Sequence, residues 1–193
     1  MKKYIYSLLL LMNLYSDDID FYRGNIIDSD LLNIISFQTN KKNIDKSVNM
    51  YSIGYYKDMW KYKTIFEKKI EIQLGAILGV HEFSTDTYEG DFLIRFKLNN
   101  VIKDIYGFNM GFSFAEGISY VTGDIDYEDG TKDNPDEVYH FQNYLQFQAN
   151  LGHGEYKDFQ LFFRIHHRSG VYGIVAPPKV GSNFVGLGIN YKL

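Results

Sequence analysis

Lys69–Val80, KIEIQLGAILGV, alternates residue by residue between two kinds of side chain. Ile70, Ile72, Leu74, Ala76, Leu78 and Val80 share one parity, and Lys69, Glu71, Gln73, Gly75 and Gly79 share the other. Successive side chains of a strand point to opposite faces, so this pattern predicts a strand whose two sides meet different media. The same division recurs on either side of it. Phe92, Ile94, Phe96 and Leu98 oppose Asp91, Arg95, Lys97 and Asn99. Tyr139, Phe141, Leu145, Phe147, Ala149 and Leu151 oppose His140, Gln142, Gln146, Gln148 and Asn150. At the end of the chain, Val185, Leu187, Ile189, Tyr191 and Leu193 oppose Gly186, Gly188, Asn190 and Lys192.

With turn-rich breaks at fairly even spacing, these patterns predict eight strands, near 31–38, 48–58, 68–82, 90–99, 107–121, 138–152, 158–169 and 183–193. The first two, around Asn33 and Gly54, do not separate their faces clearly. Alternation alone fits a soluble ligand-carrying barrel as well as an outer-membrane barrel, because the two differ only in which face looks inward. Three features favour the membrane. The apolar faces carry large residues while the opposite faces carry charge and Gly, the chain ends on a strand, and the connections alternate in length and polarity. The expected fold is an all-β, eight-stranded antiparallel transmembrane β-barrel of outer-membrane type.

Composition agrees. The 193 residues suffice for one domain, and 17 Tyr, 15 Phe, 17 Gly and only 3 Pro suit strands with aromatic girdles better than a helical bundle. Absence of Cys removes disulfides and Cys-built metal sites, and a formal charge of -4 gives no footprint for nucleic acid. Residues 1–16, MKKYIYSLLLLMNLYS, read as a secretory signal peptide, with an uncleaved anchor as the alternative; residues 17–193 then form the barrel. Both ends of the barrel are expected on the periplasmic side of a bacterial outer membrane. The long connection Gly123–Glu137 is then extracellular and reads as a solvated acidic loop rather than a metal site, and the short Gly152–Lys157 turn is periplasmic. No motif requires a cofactor or a metal.

Some side chains of the lipid-facing parity are polar, which is costly against hydrocarbon. On the seventh strand, Phe159, Leu161, Phe163 and Ile165 face outward and the same parity continues to His167 and Ser169, while Arg164, His166 and Arg168 face the lumen. A short turn between the sixth and seventh strands brings Asn143 opposite His167, with Glu116 beside Asn143 and Asn183 close to Ser169. The result is a lateral stripe at outer-leaflet depth. It supplies a hydroxyl nucleophile (Ser169), an imidazole base (His167) and a third group to fix the imidazole, for which Glu116 is preferred over Asn183. Asn143 or a backbone N–H near Gly170 supplies the oxyanion donor. A His and a Ser near a strand end also fit a headgroup interface without chemistry, so a non-enzymatic structural barrel stands as the alternative.

The segments LFFRIHHRSGVYGIV (161–175) and GSNFVGLGINYKL (181–193) resemble the end of the outer-membrane lipid A deacylases, the PagL-type family often labelled acyloxyacyl hydrolase. NYLQFQANLG (143–152) and EGISYVTG (116–123) resemble upstream strands of that family. The resemblance implies an eight-stranded barrel that hydrolyses an ester-linked acyl chain of lipid A in the outer leaflet, with a Ser-His-Glu triad on its exterior and His167 and Ser169 as the His-x-Ser element. The chain departs from that pattern. Gly170 stands where the better-studied members carry Asn, Gly181, Ser182 and Asn183 stand where their Glu falls, and Leu193 stands where such barrels commonly end in Phe. The expected partner is outer-leaflet lipid; oligomeric state is not legible.

Overall fold

A computed structural model describes residues 17–40, 43–63, 69–82, 86–123, 125, 128, 139–177 and 180–193. The expected signal peptide and most of the acidic loop lie outside these residues. Eight antiparallel strands close in sequence order: β1 (Asp18–Ile27), β2 (Ile44–Lys63), β3 (Lys69–Glu82), β4 (Thr87–Ile105), β5 (Phe108–Val121), β6 (Phe141–His153), β7 (Tyr156–Ser169) and β8 (Gly181–Lys192). Closure pairs β1 with β8 and leaves no edge, which is what a sheet in hydrocarbon requires. Both ends of the barrel sit at one rim, where the Leu193 N–H donates to the Asp17 carbonyl at 2.8 Å.

The expected eight-stranded barrel is found, with one element misplaced. The strand expected over 31–38 is the short helix α1 (Leu31–Ile35), and the first strand runs over 18–27. Asp18 and Asp20 hid β1 because acids directly after an apolar leader look like a polar linker; both point into the lumen. Leu31, Ile34 and Ile35 have the spacing of a helical face.

Among the described residues, two connections on the rim that carries the termini are tight. Tyr106 and Gly107 join β4 to β5 with φ of 53° and 81°, the positive-φ pair of a type I′ hairpin, for which Gly107 is suited. Gly154 and Glu155 join β6 to β7. The β1–β2, β5–β6 and β7–β8 connections on the opposite rim are longer.

The barrel is inside-out relative to a soluble protein. Phe92, Ile94, Phe96, Leu78, Leu161 and Leu187 are all exposed on its outside. Exposed Trp60, Tyr62, Phe108, Tyr156 and Phe159 ring the rim of the termini, and Tyr51, Tyr88, Tyr120 and Phe141 ring the other, giving two aromatic girdles about an apolar band. The bulge between Asp58 and Trp60 shifts the register, so both Trp60 and Tyr62 join the girdle.

The lumen is filled by side chains, as eight strands allow. Toward the rim of the termini, Arg95 donates to Asp18 at 2.6 Å and Asp20 at 3.0 Å, Arg164 pairs with Asp20, and Lys97 reaches Asp18 at 2.6 Å. The Arg95 guanidinium also lies over the Tyr56 ring, 3.4 Å from its centroid. Each buried charge of this group thus has an opposite charge and further hydrogen bonds, the condition under which burial is tolerated. Between the charged groups, Tyr56, Ile77, Leu93, Ala115 and Tyr144 form an apolar plug.

Candidate active site on the barrel exterior

Strand register places the polar stripe. His167 stands opposite Leu145 of β6 and Asn183 of β8, and Ser169 stands opposite Asn143 and Gly181. The expected pairings of Asn143 with His167 and of Asn183 with Ser169 are therefore each off by two residues. The first offset arises at the β6–β7 hairpin, whose turn is confined to Gly154 and Glu155 and whose ladder shifts at Gly152/His153, and the second at the β7–β8 connection, which starts β8 at Gly181 opposite Ser169. His167 and Ser169 share the outward parity with Phe163 and Ile165, while His166 and Arg168 are fully buried in the lumen.

Asn183 and His167 face each other across the β7–β8 ladder, and His167 Nδ1 lies 2.8 Å from Asn183 Oδ1. The amide orientation follows from its other bond: Asn183 Nδ2 donates to the Ser29 carbonyl at 2.9 Å. Oδ1 is left to accept, so Nδ1 carries the imidazole proton and Nε2 presents a lone pair. This chain from Ser29 through Asn183 to His167 fixes a tautomer, the role a third group has in a serine-hydrolase site. Glu116 is exposed on β5, paired with Leu145, two strands from His167 and roughly 10 Å away by strand spacing. Leu145 stands between them.

Asn143 Nδ2 donates to the Gly117 carbonyl at 3.1 Å, which leaves its second amide hydrogen for another acceptor. The Gly170 N–H donates to the Val180 carbonyl at 3.1 Å. Its own carbonyl accepts from Val175 and Ala176 at 3.0 and 3.2 Å, folding the chain back directly after Ser169. A Cβ at Gly170 would lie 2.2 Å from the Ala176 carbonyl oxygen, so glycine follows the serine because backbone occupies the side-chain space.

Sequence reasoning missed Ser29 and α1. The β1–β2 connection folds down the outside of the barrel, where Ile34 packs with Ile27 and Ile165 and against Leu31, Ile44, Phe147 and Val185. Ile165, Phe147 and Val185 are the outward neighbours of His167, Leu145 and Asn183 one repeat down their strands. The loop thus walls the His167 face on one side and leaves Leu32 and Phe37 exposed. Asp30 ahead of an apolar i, i+3, i+4 pattern was the available signal for a helix start.

Behind this face the lumen holds a second polar layer. Glu89 bridges His81 at 2.5 Å and His166 at 3.0 Å, and Arg168 pairs with Glu128 at 2.5 Å. Glu128, expected in a solvated loop, is buried here and also accepts from Ser182 at 2.6 Å. Burial pushes its carboxyl above the usual range, and Arg168 acts in the opposite direction.

A closed barrel with an apolar exterior, two aromatic girdles and a filled polar lumen is of the outer-membrane class, here with an oriented His-Asn pair and a serine on its outer face. The crystal structure of the outer membrane enzyme PagL has this fold: it is similar to the chain with a TM-score of 0.61 at 13% identity, over 90% of this chain and 98% of that one. The N-terminal β-barrel domain of Pseudomonas aeruginosa OprF matches with a TM-score of 0.48 at 9% identity, over 92% of this chain and 97% of that one. Yersinia pestis Ail, determined in a phospholipid bilayer nanodisc, gives 0.41 at 10%, over 92% and 99%. No family model matches the chain, and no curated protein matches it.

Proposed function

We propose that this protein is a bacterial outer-membrane esterase that removes an ester-linked acyl chain from lipid A or a related acylated glycolipid. The observation that carries this reading is the 2.8 Å contact between His167 Nδ1 and Asn183 Oδ1 on the outward face, with Ser169 two residues along the same strand face. In this reading Ser169 Oγ attacks the ester carbonyl and His167 Nε2 takes the hydroxyl proton, then returns it to the departing sugar oxygen. Water hydrolyses the acyl-enzyme by the same route in reverse. Asn183 orients the imidazole without supplying a charge, as Asn does in Cys-His-Asn enzymes. The spare amide hydrogen of Asn143, opposite Ser169, is the candidate oxyanion donor.

Two supports lie outside the dyad. The exterior suits lipid, so a substrate carried in the outer leaflet meets Ser169 by lateral diffusion. The PagL structure, that of an outer membrane enzyme, is built on the same fold. Termini on the rim of tight turns are read as periplasmic, which puts Ser169 toward the outer leaflet.

The test is the mass spectrum of lipid A from cells expressing wild type, Ser169→Ala or His167→Ala. Wild type is expected to yield a species lighter by one acyl chain, and both variants, present in the membrane at equal level, to yield none. Identical lipid A in all three would reject catalysis on this substrate and leave a structural barrel.

A further inference from the structure

We propose that the outer half of the lumen is a binding site for one first-row divalent transition-metal ion, held by Glu89 and Asp91 of β4 and His166 of β7. Each of the three offers one donor atom, and the donors all lie within 4.8 Å of one another. Glu89, Asp91 and His166 are 3%, 4% and 0% exposed. This site is separate from the esterase reading, because all three side chains point to the opposite side of the barrel wall from Ser169.

Asp91 is the reason to place a cation here. Neither of its carboxylate oxygens has a hydrogen-bond partner, although the group is buried and aimed at the cluster. A buried carboxylate without donors is costly, and the ordinary remedy is a partner that the protein does not itself supply. Glu89 is already engaged: Oε1 receives Ser119 at 2.7 Å and faces His166 Nε2 at 3.0 Å, and Oε2 meets His81 at 2.5 Å.

Charge agrees. Among the described residues, this layer holds the carboxylates Glu89, Asp91 and Glu128 against the single guanidinium of Arg168. With all three carboxylates ionised and the histidines neutral, two negative charges would remain, which one divalent ion would cancel. Protonated His81 and His166 would cancel them as well, but both face Glu89 and leave Asp91 unpartnered.

The donor set selects the ion. One imidazole with two carboxylates suits Zn2+ and its first-row neighbours, whereas Ca2+ takes about six to eight oxygens. Tetrahedral ligands at about 2.1 Å from zinc stand roughly 3.4 Å apart. The widest pair therefore closes by at most roughly 1.5 Å on binding. The ion would tie β4 to β7 across the lumen.

The full chain, refolded from urea into detergent micelles in chelator-treated buffer, is titrated with Zn2+ against a coloured competing chelator, with Ca2+ in parallel. Expected are one Zn2+ per barrel, a higher thermal unfolding midpoint with Zn2+ than without, and no such response to Ca2+. Asp91→Asn and His166→Gln are each expected to weaken binding at least about tenfold, and Ser169→Ala to leave it unchanged. Wild type that binds no Zn2+, or binds it no better than these two variants, overturns the site and leaves a proton shared between Asp91 and Glu89. If neither variant folds, zinc-edge X-ray absorption of the wild type decides: one imidazole with oxygen donors supports the assignment, and any other shell overturns it.

Discussion

At the scale of single residues, the proposed chemistry turns on what holds His167. The side chain of Asn183 is tied at both ends, to His167 Nδ1 at 2.8 Å and to the Ser29 carbonyl at 2.9 Å, so it can orient an imidazole without carrying charge. Asn183→Ala is expected to lower deacylation by roughly 10²-fold, within the usual range for a disturbed general base. Glu116, two strands away behind Leu145, is expected to change the rate less than about threefold when replaced by Ala. Lipid A product ratios from cells at matched expression check both, and a larger loss in Glu116→Ala than in Asn183→Ala would return the acid role to Glu116. Gly170 is a positional requirement, and Gly170→Ala is expected to reduce activity by displacing the 170–176 backbone rather than by removing a donor.

At the scale of elements, α1 matters more than its length implies. Ile34 is 6% exposed because the helix is folded against Ile27 and Ile165 on the barrel exterior, and the same loop delivers the Ser29 carbonyl to Asn183. Ile34→Ser removes about 2 kcal/mol or more of that docking. The barrel itself has no need of it, since every strand remains paired. Faster protease nicking within 28–43 and reduced deacylation are therefore expected, while heat-modifiable migration on a gel stays as in wild type. Loss of folding in this variant would show instead that α1 is part of the barrel's own stability.

At the scale of the whole molecule, stability rests on a charged lumen inside an apolar shell. Asp20 lies between Arg95 and Arg164 and also accepts from Asn190 at 2.5 Å. Removing one guanidinium leaves buried charge short of a partner, at a cost of about 3–5 kcal/mol. Arg164→Met is accordingly expected to lower the urea midpoint of the barrel in detergent micelles by a clear margin. An unchanged midpoint would mean that Arg95 and Asn190 satisfy Asp20 without it.

The amino-acid sequence by itself determined the barrel, its strand count and, for the last six strands, the side on which a residue falls, because period two is a local property of the backbone and the medium on each face selects the residue type. His167 and Ser169 were legible as outward residues for the same reason, and His166 as a lumen residue. Only the tertiary structure decided which outward residues meet. Register across a hairpin depends on where the turn closes, and a shift of two preserves parity while exchanging every partner, so Asn183 and not Ser169's neighbour Asn143 stands across from His167. It also decided that the segment with β1's expected place in the sequence is a helix on the barrel wall, and that Glu89, Asp91 and His166, distant in the chain, share one buried space. Those contacts depend on closure of the sheet around a common axis, which no stretch of the chain encodes alone.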